Sequence, residues 1–374
     1  MTEFRRRYGL VFVAGALAVA CGGEQSEQRD QEGVAGSGVV GTAGNPAVGG
    51  GGVTSGGVSG AAGAVTAGGA AGSGVASLQG SLALLRNGSC ALDSKSQIRC
   101  WGNENPFQVP SGVFTSLAAD TTFACGRREA GTVACFPTPE GTQDLSYIPE
   151  GSYAAIDVGN GFCGIGLDGL VSSCGDSLYK PAAPAEAFSQ VSMGRHFSCG
   201  IVKSDKSIRC WGGLQQAGAS CEQAAVGLLD APTGAFSQIA SSELHSCAIR
   251  IDGTLACWGA GTLASDPPGW ACPNATHFGQ SLPPSGTFIA VAVGEKHGCA
   301  IRSDGTVACW GAGTTLGDCP ANAAACGQSI PPTGQFAAVA VGLVHSCAMR
   351  EDRSVVCWGF NGVGGRTTPP SDFP

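Results

Sequence analysis

Residues 297–311 read His-Gly-Cys-Ala-Ile-Arg-Ser-Asp-Gly-Thr-Val-Ala-Cys-Trp-Gly, and close copies surround Cys90, Cys125, Cys163, Cys199, Cys247 and Cys347, making seven in one chain. Two short apolar runs, Cys299 to Arg302 and Val307 to Trp310, flank Ser303-Asp304-Gly305. That is the pattern of a β-hairpin with a tight loop. If Arg302 and Thr306 close a three-residue loop, with Gly305 in the left-handed conformation, paired residue numbers sum to 608. Cys299 and Cys309 have that sum. They face one another as a non-hydrogen-bonded pair, whose short Cα spacing suits a disulfide.

Cys90 with Cys100, Cys125 with Cys135, Cys247 with Cys257 and Cys347 with Cys357 keep the ten-residue offset. Cys163 with Cys174 and Cys199 with Cys210 are offset by eleven, the extra residue being assigned to the loop. The expectation is seven intra-hairpin disulfides. Metal binding is not expected, because no Cys-x-x-Cys occurs and no pair has a second pair at zinc-site spacing.

A second signature precedes each first cysteine. Phe288-Ile289-Ala290-Val291-Ala292-Val293-Gly294 returns as Phe336 to Gly342, and more loosely from Phe236, Phe188, Tyr153 and Phe114; in the first repeat Leu82 and Leu84 take the places of Val291 and Val293. Its alternation is that of a strand. The unit is therefore a strand, a hairpin ending in Trp-Gly, and a connection containing pairs such as Pro283-Pro284 or Pro331-Pro332, with three or four strands in all. First cysteines are spaced by 35, 38, 36, 48, 52 and 48 residues. Units of this size bury a face by stacking on neighbours, and a radial arrangement of four-stranded units removes exposed sheet edges. The fold class expected is all-β, a seven-bladed β-propeller over residues 77–374. A linear solenoid would use shorter, more regular coils.

The Asp-Gly hairpin and Trp-Gly end, seen whole in His245-Ser-Cys-Ala-Ile-Arg-x-Asp-Gly-Thr-x-x-Cys-Trp-Gly259, resemble the RCC1-type repeat of the regulator of chromosome condensation. The resemblance covers residues 77–374 and weakens where Phe136 and Gly175 stand for Trp. It implies a seven-bladed propeller. It does not carry over nucleotide exchange on a small GTPase, because no residue here matches that activity. The paired cysteines depart from the usual repeat and suit an oxidising compartment.

Upstream, residues 1–20 hold Arg5-Arg6-Arg7, an apolar run from Leu10 to Leu17 and small residues before Cys21, which reads as a lipoprotein signal with Cys21 as the lipidated residue. Residues 21–76 are rich in Gly, Ala and Ser, lack aromatics and cannot bury a core, so they read as a flexible tether. A Gly-rich coil of about 55 residues reaches roughly 40 Å. Gly22 after the cysteine favours an outer-membrane or surface destination. The formal charge is −8, and −10 once the +2 of residues 1–20 is removed. No basic stripe remains, so nucleic acid is disfavoured as a partner.

Candidates for chemistry mostly dissolve into the repeat. His196, His245, His297 and His345 recur at one motif position and read as inter-strand hydrogen bonds. Trp101, Trp211, Trp258, Trp310 and Trp358 read as inter-blade packing, and Asp93, Asp168, Asp205, Asp252, Asp304 and Asp352 as turn residues. No catalytic set, phosphate loop or cofactor motif stands out. What breaks the repeat is more telling. The connections after Trp211, Trp258 and Trp310 are the longest and hold four further cysteines. Cys319 with Cys326, and Cys221 with Cys272, are the expected pairs. Together these loops form a stiffened crescent on one face, with Trp270, His277 and Phe278 as candidate contacts to a protein or glycan partner. The function expected is a non-catalytic, lipid-anchored binding scaffold; the alternative is an envelope enzyme with its active site at the propeller axis.

Overall fold

The computed structural model describes residues 78–373 apart from 103–105, 140–143, 160, 176–180, 196, 213–226, 244, 263–277, 315–325 and 362–364. Cys21, the signal and the tether lie outside the described residues.

Every described strand belongs to one of seven antiparallel three-stranded sheets, each built from consecutive strands. They span residues 82–101, 116–137, 153–175, 188–212, 236–259, 288–311 and 338–359, here blades 1 to 7. In blade 6 the inner strand is Phe288–Val293, the middle strand His297–Arg302 and the outer strand Val307–Gly311. The inner strands touch in the cyclic order 1 to 7 and back to 1, so the blades form a closed ring. Among the described residues each blade has three strands, the lower of the two counts the sequence allows. The connections carry Pro-Pro pairs such as Pro283-Pro284, and proline offers no N–H to a ladder.

The hairpin register is as the sequence requires. Cys299 pairs with Cys309 and Ile301 with Val307, Arg302 N–H donates to Thr306 O at 2.7 Å, and Gly305 has φ +86°. Asp304 accepts from the backbone N–H and the hydroxyl of Thr306, at 2.9 and 2.7 Å.

One disulfide closes each blade. Cys90 is bonded to Cys100, Cys125 to Cys135, Cys163 to Cys174 and Cys199 to Cys210 in blades 1 to 4. Cys247 is bonded to Cys257, Cys299 to Cys309 and Cys347 to Cys357 in blades 5 to 7. Their Cα–Cα distances are 4.0 to 4.1 Å, and all seven pairs are those expected from the spacing. The middle-strand sulfurs are fully buried, whereas Cys100, Cys135 and Cys257 on the outer strands are only half-buried; Cys174, beside the bulge of blade 3, is buried. The extra residue of the eleven-residue pairs is handled in two ways. In blade 4 the loop takes it, leaving the ladder from Ile201–Ile208 to Cys199–Cys210 regular. In blade 3 the turn keeps its ordinary form and the outer strand bulges ahead of Cys174, because Gly164 pairs with Ser173 but Ile165 with Val171. That corrects the assignment of the extra residue to the loop.

The core lies between blades rather than within them. Trp310 packs on Cys247 and Ile249 of blade 5 together with Phe288 and Val291, and Trp258 packs on Phe197, Ile201 and Ile208 of blade 4. Each hairpin turn also holds the next blade: Phe288 N–H donates to Gly253 O at 2.8 Å and Phe336 N–H to Gly305 O at 2.9 Å. Arg250, Arg302 and Arg350 lie 5.0 to 5.1 Å over Phe236 and Phe288, the first residues of their inner strands, and Phe336, two residues ahead of its own.

The ring closes by side chains. Leu78, Leu82, Leu84 and Trp101 of the first repeat share a cluster with Ala337, Ala338, Cys347 and Met349 of the last, and Phe373 packs against it. Gln79 exchanges two hydrogen bonds with the backbone of Val339, at 3.3 and 3.4 Å. The C-terminal segment serves as the connection for blade 1. Arg366 O accepts from Trp101 Nε1 at 3.1 Å, as Gln280 O accepts from Trp310 Nε1 at 2.7 Å in blade 6.

Candidate functional site

The strand directions give the ring two faces. Middle strands run from the inner turn to the Asp-Gly hairpin, and outer strands return to end in Trp-Gly. One face therefore carries the hairpins, and the opposite face carries the inner turns and the start of every connection. Blade 1 begins on the hairpin face, where Leu92 N–H donates to Ser81 O.

The two enlarged connections after Trp258 and Trp310 leave and re-enter the opposite face through identical necks. Ser281 N–H donates to Gly261 O and Ser329 N–H to Gly313 O, each at 3.1 Å. The Ser281 hydroxyl bonds Ala260 O at 2.6 Å and Trp258 O at 3.3 Å; that of Ser329 bonds Ala312 O at 2.6 Å and Trp310 O at 3.2 Å. The amide oxygens of Gln280 and Gln328 accept from the N–H of Phe278 and Cys326, both at 2.8 Å. Gly261 and Gly313 have φ of +83° and +79°, and a Cβ on either would strike the facing glutamine side chain.

Each neck is then pinned to the following blade. Trp310 Nε1 donates to Gln280 O at 2.7 Å and Trp358 Nε1 to Gln328 O at 2.9 Å. The Lys296 ammonium stands 5.9 Å from the Phe278 ring centroid, and Cys326 packs with Val344, Leu343 and Phe360. Phe278 is thus a half-buried residue at the root of a loop. Trp270, His277, Cys221, Cys272 and Cys319 lie outside the described residues; Cys326 is disulfide-bonded. The neck residues were missed in the sequence, though Trp-Gly-Ala-Gly followed by Gly-Gln-Ser stands in both repeats, at 258–261 with 279–281 and at 310–313 with 327–329.

The titratable groups serve the scaffold. His297 Nε2 lies 2.8 Å from Ser346 Oγ and His345 Nε2 3.0 Å from Ser89 Oγ, each joining one blade to the next. Gly298 stands where the other two have serine, and His245 Nδ1 instead meets Ser242 Oγ at 3.0 Å. His196 is not the fourth member of this set, because Phe197 pairs with Gly212 as His245 pairs with Gly259. Asp157, the one inner-strand carboxylate facing a cysteine across the described ladders, accepts from Met193 N–H at 2.7 Å in the next blade. It keeps some solvent access yet lies deep in protein, and burial pushes its carboxyl up to about 6. The Asn87 side chain accepts from Arg366 at 3.2 Å, and Ser89 is fully buried.

The model of the regulator of chromosome condensation (RCC1) repeat matches residues 288–314 and 336–364. The two matched stretches are the repeats of blades 6 and 7. The serine/threonine-protein kinase-like protein CCR4 of Arabidopsis thaliana is 25% identical over 241 residues, covering 59% of this chain and 27% of that protein. The chain thus spans about a quarter of that relative's length. The CRINKLY WD40 ectodomain of the Arabidopsis thaliana receptor kinase ACR4 superposes with a TM-score of 0.54 at 22% identity, over 75% of this chain and 97% of that one. The entire ectodomain of the Physcomitrella patens receptor kinase CR4 gives 0.55 at 20% identity, over 75% and 72%. These likenesses agree on the propeller fold.

Proposed function

We propose that the protein is an exported, lipid-anchored and non-catalytic scaffold that presents its loop face to a protein or glycan partner. The observation that carries this reading is the pair of identical necks. A fold that repeats such a neck and pins it to the next blade fixes where each loop begins and ends, and preorganised loops lose less entropy on binding. The seven disulfides support export, because such bonds persist in oxidising compartments. Cys21 is the proposed lipid attachment point, the tether lets the ring stand off a membrane, and Trp270, His277 and Phe278 are the proposed contacts.

Cross-linking and capture from intact envelopes tests the site. Replacing residues 262–278 and 314–326 by short links should abolish a stoichiometric partner while leaving the ring folded; retention of that partner sinks the assignment. The anchor has its own test. Cys21→Ser should lose metabolic lipid labelling, and unchanged labelling would refute it.

A further inference from the structure

His245, His297 and His345 are fully buried, and each ring has one nitrogen on a serine hydroxyl. The other nitrogen, Nε2 of His245 and Nδ1 of His297 and His345, is buried without a partner. A proton added there carries a charge into a packed interface; only at His345 does a backbone bond to Gly88 favour it, and burial with Arg366 outweighs that bond. The charged groups acting on these rings are Arg366, from the C-terminal segment beside His345, and the neighbouring imidazoles, all of which oppose a further positive charge. Burial accordingly pushes all three down to about 3.

Their distribution around the ring is uneven. Two positions before the first cysteine, blades 1 to 4 have Gly88, Phe123, Gly161 and Phe197, none of which titrates. Blades 5 to 7 have the three histidines, and the two necks dock on blades 6 and 7. Lys296 and Val344, which directly precede His297 and His345, hold those necks. They do so by their side chains, the Lys296 ammonium over Phe278 and Val344 packed on Cys326, while their carbonyls tie the end of each blade's own outer strand by accepting from Ala312 and Phe360 N–H at 2.9 and 3.0 Å.

We propose an acid-release device: protonation of His245, His297 and His345 opens the half-ring of blades 5 to 7 with its seam to blade 1, and frees the loop necks docked there. Blades 1 to 4 lack such a group at this position. The device itself does not depend on the binding assignment; its consequence, release of a partner in acid, rests on the loop face being the binding face.

The sign follows from linkage. A histidine held below its unfolded value of about 6.5 contributes stability that is whole above that value and is lost as pH falls toward the folded value. Asp157, raised to about 6, and Asp120, also raised by burial, work the other way, while Asp252, Asp304 and Asp352, held low by hydrogen bonds, lose stability in acid equally in wild type and variant. The test is denaturation of the full chain, followed by tryptophan fluorescence from about pH 7 to about pH 4. The wild type should lose midpoint steeply. The triple variant His245→Phe, His297→Phe, His345→Phe, which copies blades 2 and 4, should lose much less. Equal pH dependence in the two proteins overturns the proposal. Should that variant fail to fold, imidazole NMR on the wild type decides. At least three ring signals should stay unchanged from about pH 7.5 to about 5. Titration of every histidine at about 6.5 in an intact fold would contradict it.

Discussion

At the scale of single residues, the same position is solved differently around the ring, and the partner across the blade interface follows suit. His297 faces Ser346 and His345 faces Ser89, whereas Phe123 meets Phe162 in a shared apolar cluster. Polar is matched with polar, since an orphaned buried nitrogen costs more than the bond itself contributes. Ser346→Ala leaves both nitrogens of His297 without a partner, and should destabilise by about 1–3 kcal/mol in denaturant melts. A loss below the error of the melt would show that this bond carries no weight. At the necks, Ser281→Ala removes a buried hydroxyl from two carbonyls, and about 1–2 kcal/mol is expected in the same measurement.

At the scale of the element, the hairpin is a staple. Replacing Cys299 and Cys309 together by alanine should cost roughly 2–3 kcal/mol by the loop-closure estimate, with the other six hairpins still bonded. Denaturant midpoints of the two proteins give the value. This element was legible in the sequence because register, turn and cysteine spacing constrain one another: Asp-Gly fixes the turn, the turn fixes the pairing sum, and the sum sets Cys299 opposite Cys309. The bulge in blade 3 was not legible, since an eleven-residue offset from Cys163 to Cys174 fits a longer loop as well as a bulge and only Ile165 pairing with Val171 distinguishes them. The strand count stayed open between three and four, because a short extended stretch with two prolines has the composition of an edge strand without its donors. The necks were legible in principle, as Gly-Gln-Ser recurs, but their meaning depends on carbonyls about 20 residues away in sequence.

At the scale of the whole molecule, the ring is seven stapled units joined by side-chain packing and by turn-to-strand backbone bonds, and its ends meet at the seam between blades 7 and 1. No periodic signal marks that seam, because Gln79 with Val339 and Trp101 with Arg366 are each more than 250 residues apart. Deleting residues 361–374 removes Arg366 from Trp101 and Ser89, and Asp372 from Arg99. The truncated chain should melt at lower temperature and with reduced cooperativity by calorimetry, whereas unchanged melting would mean the seam holds without this segment. A permutant joining 373 to 78 and opened in the loop after Trp258 should fold, since Leu78 and Phe373 share one cluster. The most direct test of seven self-stapled blades is non-reducing peptide mapping of the exported protein. Cys299 should be linked to Cys309, Cys347 to Cys357, and the other five hairpin pairs likewise, each within its own repeat. Free thiols at these positions, or links between repeats, would contradict this pairing.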